Sequence, residues 1–93
     1  GPDVFATTGA GNLLQIHWTA VTAPPPGFPN LPINVVGYQV IVESFQVTVP
    51  AAVLSMTVPP EFVGSLAPGQ HQFEVLAIEA SGNQTLTEGY FTL

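Results

Sequence analysis

The side chains able to do chemistry are few. His17 and His71 are the only ones that ordinarily titrate near neutrality, and Asp3, Glu43, Glu61, Glu74, Glu79 and Glu88 are the only fixed charges. A histidine acting as general base or metal ligand needs a carboxylate or a second imidazole converging on it. Neither has such a partner close by in sequence: His17 lies in Gln15-Ile16-His17-Trp18 and His71 in Gln70-His71-Gln72-Phe73. Alternation places His17 on the face opposite Trp18, towards solvent, and His71 in line with the apolar Phe73, Val75 and Ala77, so both read as structural. There is no Gly-x-Ser-x-Gly elbow to present a serine, and no Cys to act as a nucleophile. Glycoside hydrolysis requires two carboxylates facing each other across a cleft, whereas Glu74 and Glu79 fall on one strand and the loop after it. Calcium requires several converging oxygens, and no Asp-x-Asp-like cluster occurs. The expectation is a non-enzymatic chain without catalytic, cofactor or metal residues.

The charge balance excludes further classes. Lys and Arg are both absent, giving a formal net charge of −6. Without cationic side chains there is no release of counterions from phosphates and no attraction to anionic lipid, so nucleic acid and membrane partners are not expected. The six scattered carboxylates read as solubilising charge. No run approaches the roughly 18 apolar residues that span a bilayer, and no segment has the pattern of a secretory signal. Any targeting segment is expected to lie outside these residues. Residues 1–2, Gly1-Pro2, read as the remnant of a cleaved tag, leaving residues 3–93 as one domain of a larger extracellular or cell-surface protein.

The elements that must carry these residues are strands. Leu14, Ile16 and Trp18 alternate with Gln15, His17 and Thr19, the period-two signature of a half-buried strand. The same period runs through Val36, Tyr38, Val40 and Val42, through Phe45, Val47 and Val49, through Leu54, Met56 and Val58, and through His71, Phe73, Val75 and Ala77. A strand near Val4 to Thr7 opens the chain, and one from Thr85 to Leu93, broken at Gly89, closes it. Gly9-Ala10-Gly11-Asn12, Pro59-Pro60, Pro68-Gly69 and Ser81-Gly82-Asn83 supply turns, and ten prolines leave no room for a helix of ordinary length. Short alternating strands with regular turn signals predict an all-β, seven-stranded antiparallel sandwich with Trp18 buried beside Tyr38 and Val75.

Three segments resemble fibronectin type III modules: Ile16-His17-Trp18-Thr19-Ala20, Val36-Gly37-Tyr38-Gln39-Val40, and Leu66-Ala67-Pro68-Gly69-Gln70-His71-Gln72-Phe73-Glu74-Val75-Leu76-Ala77. The resemblance covers nearly the whole chain. It implies an immunoglobulin-like sandwich in which the Trp packs between sheets and a Tyr before a long strand hydrogen-bonds back to a Leu-Pro corner. His71 stands at that Tyr position, one residue nearer Pro68. The run Ala77-Ile78-Glu79-Ala80-Ser81-Gly82-Asn83 is similar to bacterial immunoglobulin-like surface modules, which implies a secreted or surface protein of a bacterium or archaeon.

Binding candidates follow from the same alternation. If Val40, Val75 and Ala77 point inward, then Ile41, Leu76 and Ile78 point outward, and apolar side chains grouped there either form a candidate contact surface or are covered by a nearby loop of the same domain, such as the proline-rich segment. Asn83-Gln84-Thr85 is a glycosylation sequon in a turn, or simply an Asn tolerating a left-handed conformation beside Gly82. Pro24 to Pro32 suits a stiff loop better than a polyproline ligand, since no basic residue flanks it. Two functions remain: a spacer or protein-interaction module contacting neighbouring domains or another protein, and a polysaccharide-binding or adhesion module accessory to a secreted degrading enzyme. The second needs exposed aromatics, for which Phe28, Tyr90 and Phe91 are the candidates.

Overall fold

The structure, a computed structural model, describes residues 1–22 and 33–93. It contains strands β1 (Val4–Gly9), β2 (Leu13–Trp18), β3 (Val35–Val42), β4 (Phe45–Pro50) and β5 (Ser55–Thr57). A short helix α1 (Pro60–Gly64) precedes β6 (Gln70–Glu79) and β7 (Gln84–Thr92). The strands form two antiparallel sheets, β1-β2-β5 and β4-β3-β6-β7, stacked as a β-sandwich.

The expected alternation builds the core. Leu14, Ile16 and Trp18 from the three-stranded sheet meet Tyr38, Val40, Val42, Phe73, Val75 and Ala77 from the four-stranded sheet, all of them buried. Trp18 is 4% exposed, with its ring 5.7 Å from that of Tyr38. The Tyr38 hydroxyl reaches the rim of the core, where it accepts a hydrogen bond from the Val21 amide at 3.2 Å. Trp18 Nε1 is buried and has no hydrogen-bond partner among the described residues.

Four local expectations need correction. Val36 is exposed and Val35 half-buried, because the β3–β6 register shifts between Val35 and Gly37; the extra residue moves the inward position by one. Leu54 is likewise exposed, since β5 begins only at Ser55. Pro59-Pro60 is more than a turn: Pro60 starts the five-residue α1, at a position where a missing N–H costs nothing. Val63 of this helix is buried and Phe62 lies 5.6 Å from Phe45, so α1 plugs one end of the sandwich. Finally, Gly89 does not interrupt β7. It pairs with Phe73, and a Cβ there would stand 2.4 Å from the Phe73 ring. The glycine is the seat on which that ring rests.

Pro2 is buried, and the Asp3 amide donates to Thr19 Oγ1 at 3.0 Å, so the chain is held against the sandwich from before β1.

Candidate functional site

Register decides which outward side chains become neighbours. On the four-stranded sheet, Gln39 of β3, Leu76 of β6 and Leu86 of β7 lie in one row across the strands. The next row is Ile41, Glu74 and Glu88; one step further Gln72 faces Tyr90; on the other side Gly37, Ile78 and Gln84 align. Ile41, Leu76 and Ile78 therefore share the outer face, as the alternation of β3 and β6 implies, and all three are half-buried by their neighbours on the sheet. The alternation of β3 and β6 does not reveal Leu86, which stands directly opposite Leu76 and is 47% exposed; Tyr90, a candidate aromatic from the sequence, joins the same face. Both keep the period-two phase of β7, a signal hidden by treating Gly89 as a break.

The same face carries an electrostatic conflict. Glu74 and Glu88 are paired directly opposite each other, where like charges repel. No Lys or Arg exists anywhere in the chain to neutralise them. An open depression lined by Ile41, Glu43, Gln72 and Glu74 adjoins the pair. Glu79 lies further along β6 in the row of Val35, five residues from Glu74 and against the β6–β7 turn, so the two do not face each other across a cleft, in line with their exclusion as a glycosidase pair.

His71 makes the corner. Its Nε2 lies 2.7 Å from the Ala67 carbonyl oxygen and its Nδ1 2.8 Å from Glu43 Oε1. Both partners are acceptors, so both ring nitrogens must donate, which only the imidazolium does. The hydrogen bond to Glu43, then that to Ala67, hold the His71 pKa above its ordinary value, against a smaller opposing effect of desolvation. The ring is 13% exposed and stacks on Phe91 at 5.4 Å. An imidazole thus makes the bond back to the corner that the fibronectin resemblance assigns to a tyrosine hydroxyl, and it adds an ion pair to the β3–β4 turn. The Glu43 partner was not legible in the sequence, being 28 residues away.

The outer face of the three-stranded sheet is different in kind. Phe5 is 58% exposed and stacks on His17, with centroids 4.5 Å apart and planes 7° from parallel. His17 Nε2 lies 3.1 Å from Thr7 Oγ1, Thr7 Oγ1 donates to Gln15 Oε1 at 3.4 Å, and Gln15 Nε2 donates to Thr57 Oγ1 at 3.5 Å.

Of the aromatic candidates, Tyr90 is 58% exposed, whereas Phe91 is 6% exposed and belongs to the core. Phe91 is thereby withdrawn as a ligand-stacking residue. The inward phase of β7 turns it towards Phe73, 6.4 Å away between centroids. Phe28 and the Pro24 to Pro32 segment lie outside the described residues. Asn83 is exposed, with its amide 3.4 Å from Ser81 Oγ, and the left-handed conformation of this turn is taken by Gly82 (φ +90°) rather than by Asn83. No group of three His, Cys, Asp or Glu side chains converges among the described residues.

No known protein family matches the chain, and no curated protein matches it. Among solved structures it is similar to the spore cortex lytic enzyme SleM of Clostridium perfringens, with a TM-score of 0.68 at 18% identity. The match covers all of this chain and 27% of SleM, so the chain spans about a quarter of that protein's length. At this identity the similarity concerns the fold, and it gives the sandwich a counterpart inside a larger chain.

Proposed function

We propose that the chain is a non-catalytic module of the fibronectin type III kind, a spacer or interaction domain within a larger extracellular or surface protein. Its strand order, three strands β1-β2-β5 against four strands β4-β3-β6-β7, supports that subtype, as does the side chain that bonds back to the corner before β6. The observation that carries the interaction role is the row Leu76–Leu86, flanked by Ile41 and Ile78, on a sheet face that no described element covers. A solvent-facing strand normally places polar residues at such positions. The expected contact is with a neighbouring domain or another protein. Solution scattering on a longer chain carrying this domain and its neighbours tests it: Leu76→Asp should loosen the arrangement while leaving the domain folded. Free movement of the domain in the parent and the variant alike would sink the contact surface.

A second reading, a polysaccharide-binding module beside a degrading enzyme, is favoured by the exposed Phe5 with its adjoining row of hydroxyl and amide groups. The similarity to part of a cortex lytic enzyme points the same way. Sugar rings stack on aromatic faces, yet Phe5 and Tyr90 stand on opposite outer faces and form no common platform. Retention on an insoluble polysaccharide that Phe5→Ala abolishes would promote this reading above the first.

A further inference from the structure

Resting on the interaction reading above, the geometry points to a partner whose polypeptide surface seats an arginine over the Glu74–Glu88 pair while its apolar side chains cover Leu76 and Leu86.

Charge complementarity carries this assignment, on a sheet face that no described element covers. Glu74 and Glu88 are directly opposed across β6 and β7, with Leu76–Leu86 as the adjacent row on one side and Gln72–Tyr90 on the other. Within the chain, Glu43 has the His71 imidazolium as counter-charge, but Glu74 and Glu88 make no hydrogen bond or ion pair among the described residues. The sequence contains no Lys or Arg that could approach them. A Lys or Arg side chain facing this pair would therefore come from another polypeptide. A second copy of this chain offers no Lys or Arg side chain and carries the same formal net charge of −6, so it is a poor match for this pair.

Arginine fits better than lysine for two reasons. Its planar fork can bond two carboxylate groups at once, and it stacks on aromatic faces, whereas an ammonium is a compact, strongly hydrated point charge. Tyr90 is 58% exposed and lies two residues beyond Glu88 on the same face of β7, within the reach of a guanidinium held over the carboxylates. Leu76 and Leu86 then receive whatever apolar residue lies next to that arginine along an extended segment.

The probe is a soluble peptide alternating arginine and leucine, compared with its lysine counterpart and titrated into the isotopically labelled domain at low salt. Amide shifts should concentrate at Gln72, Glu74, Leu76, Leu86 and Glu88, with the arginine peptide binding more tightly. The double variant Glu74→Gln/Glu88→Gln should weaken binding about tenfold, the scale of losing a charge-assisted hydrogen bond. The control Asp3→Asn/Glu61→Gln removes the same net charge elsewhere and should leave affinity within about twofold if attraction is local rather than global. Tyr90→Ala should erase the preference for arginine. Equal losses in the double variant and the control, shifts scattered over the surface, or equal affinity for the two peptides would each overturn the arginine assignment. The scattering test with Leu76→Asp stands apart from these outcomes, so the contact surface can survive the loss of its proposed cation.

Discussion

The two outward faces of the sandwich obey the same alternation and end in opposite states. On the three-stranded sheet, Thr7, Gln15, His17 and Thr57 are linked to one another in a continuous hydrogen-bonded row, and Phe5 lies flat against His17. On the four-stranded sheet, two carboxylates oppose each other beside two leucines. One face is internally hydrogen-bonded; the other leaves like charges and leucines side by side. The difference shows that binary pattern alone assigns faces, while cross-strand register decides whether the groups on a face compensate one another.

Both faces depend on a shared core, so the largest effect is expected at Trp18, which spans the space between the sheets. Trp18→Ala should cost about 3 to 5 kcal/mol in chemical denaturation. A variant as stable as the parent would show that the sheets are not joined through this ring, and the comparison of two faces of one sandwich would lose its basis.

A smaller effect should be confined to the four-stranded side. Gly89→Val places a side chain where the Phe73 ring rests, and overpacking of this kind costs about 1 to 3 kcal/mol. The β6–β7 amides should shift in NMR spectra while those of β1 and β2 stay in place. A silent substitution would mean that Phe73 can move away at no cost.

The charge conflict predicts a change of opposite sign. Glu88→Gln removes the repulsion with Glu74 and should stabilise the isolated domain by about 0.2 to 1 kcal/mol at low salt. The gain should vanish in high salt, because exposed charges are screened. Destabilisation at every ionic strength would contradict the picture of an unfinished face.

The finest distinction separates the two histidines. The folded-state pKa of His71 is raised, so its contribution to stability is full below the ordinary histidine value of about 6.5 and is lost as pH rises through the higher folded-state value. Melting temperatures followed from pH 6 towards pH 9 should fall for this reason in the parent. His71→Gln should flatten that fall, and His17→Gln should leave it intact. A slope unchanged by His71→Gln would show that the corner does not depend on the imidazolium.

Much of this was legible in the sequence, and the failures have identifiable causes. Leu14, Ile16 and Trp18 against Tyr38, Val40, Val42, Phe73, Val75 and Ala77 could be read directly, because each strand alternates cleanly and a two-sheet core needs little more. Val36 failed because a bulge changes the phase without leaving a mark in the residue types. Gly89 misled because a glycine reads as a strand breaker, whereas here the neighbouring strand supplies the ring that fills its empty place. For the candidate site, Ile41, Leu76 and Ile78 were accessible from one-strand patterns. The pairings Glu74–Glu88, Leu76–Leu86 and Glu43–His71 were not, since each depends on which strands lie side by side.

Glu43 occupies the first position of a two-residue hairpin loop at φ +53°, a conformation that glycine or asparagine adopts more easily. Seen in time rather than in space, this turn and its bond to His71 belong to different moments. A hairpin closed by two residues can assemble within about 1 to 10 μs. His71, 28 residues further along, reaches the Glu43 carboxylate only once β6 has aligned beside β3. We expect the bond to form on the native side of the folding barrier, where an added interaction slows the escape from the folded state without hastening its formation. Protonating one ring should lengthen the lifetime of the folded domain while leaving its refolding rate nearly unchanged, so the corner acts as a latch that closes last and opens first.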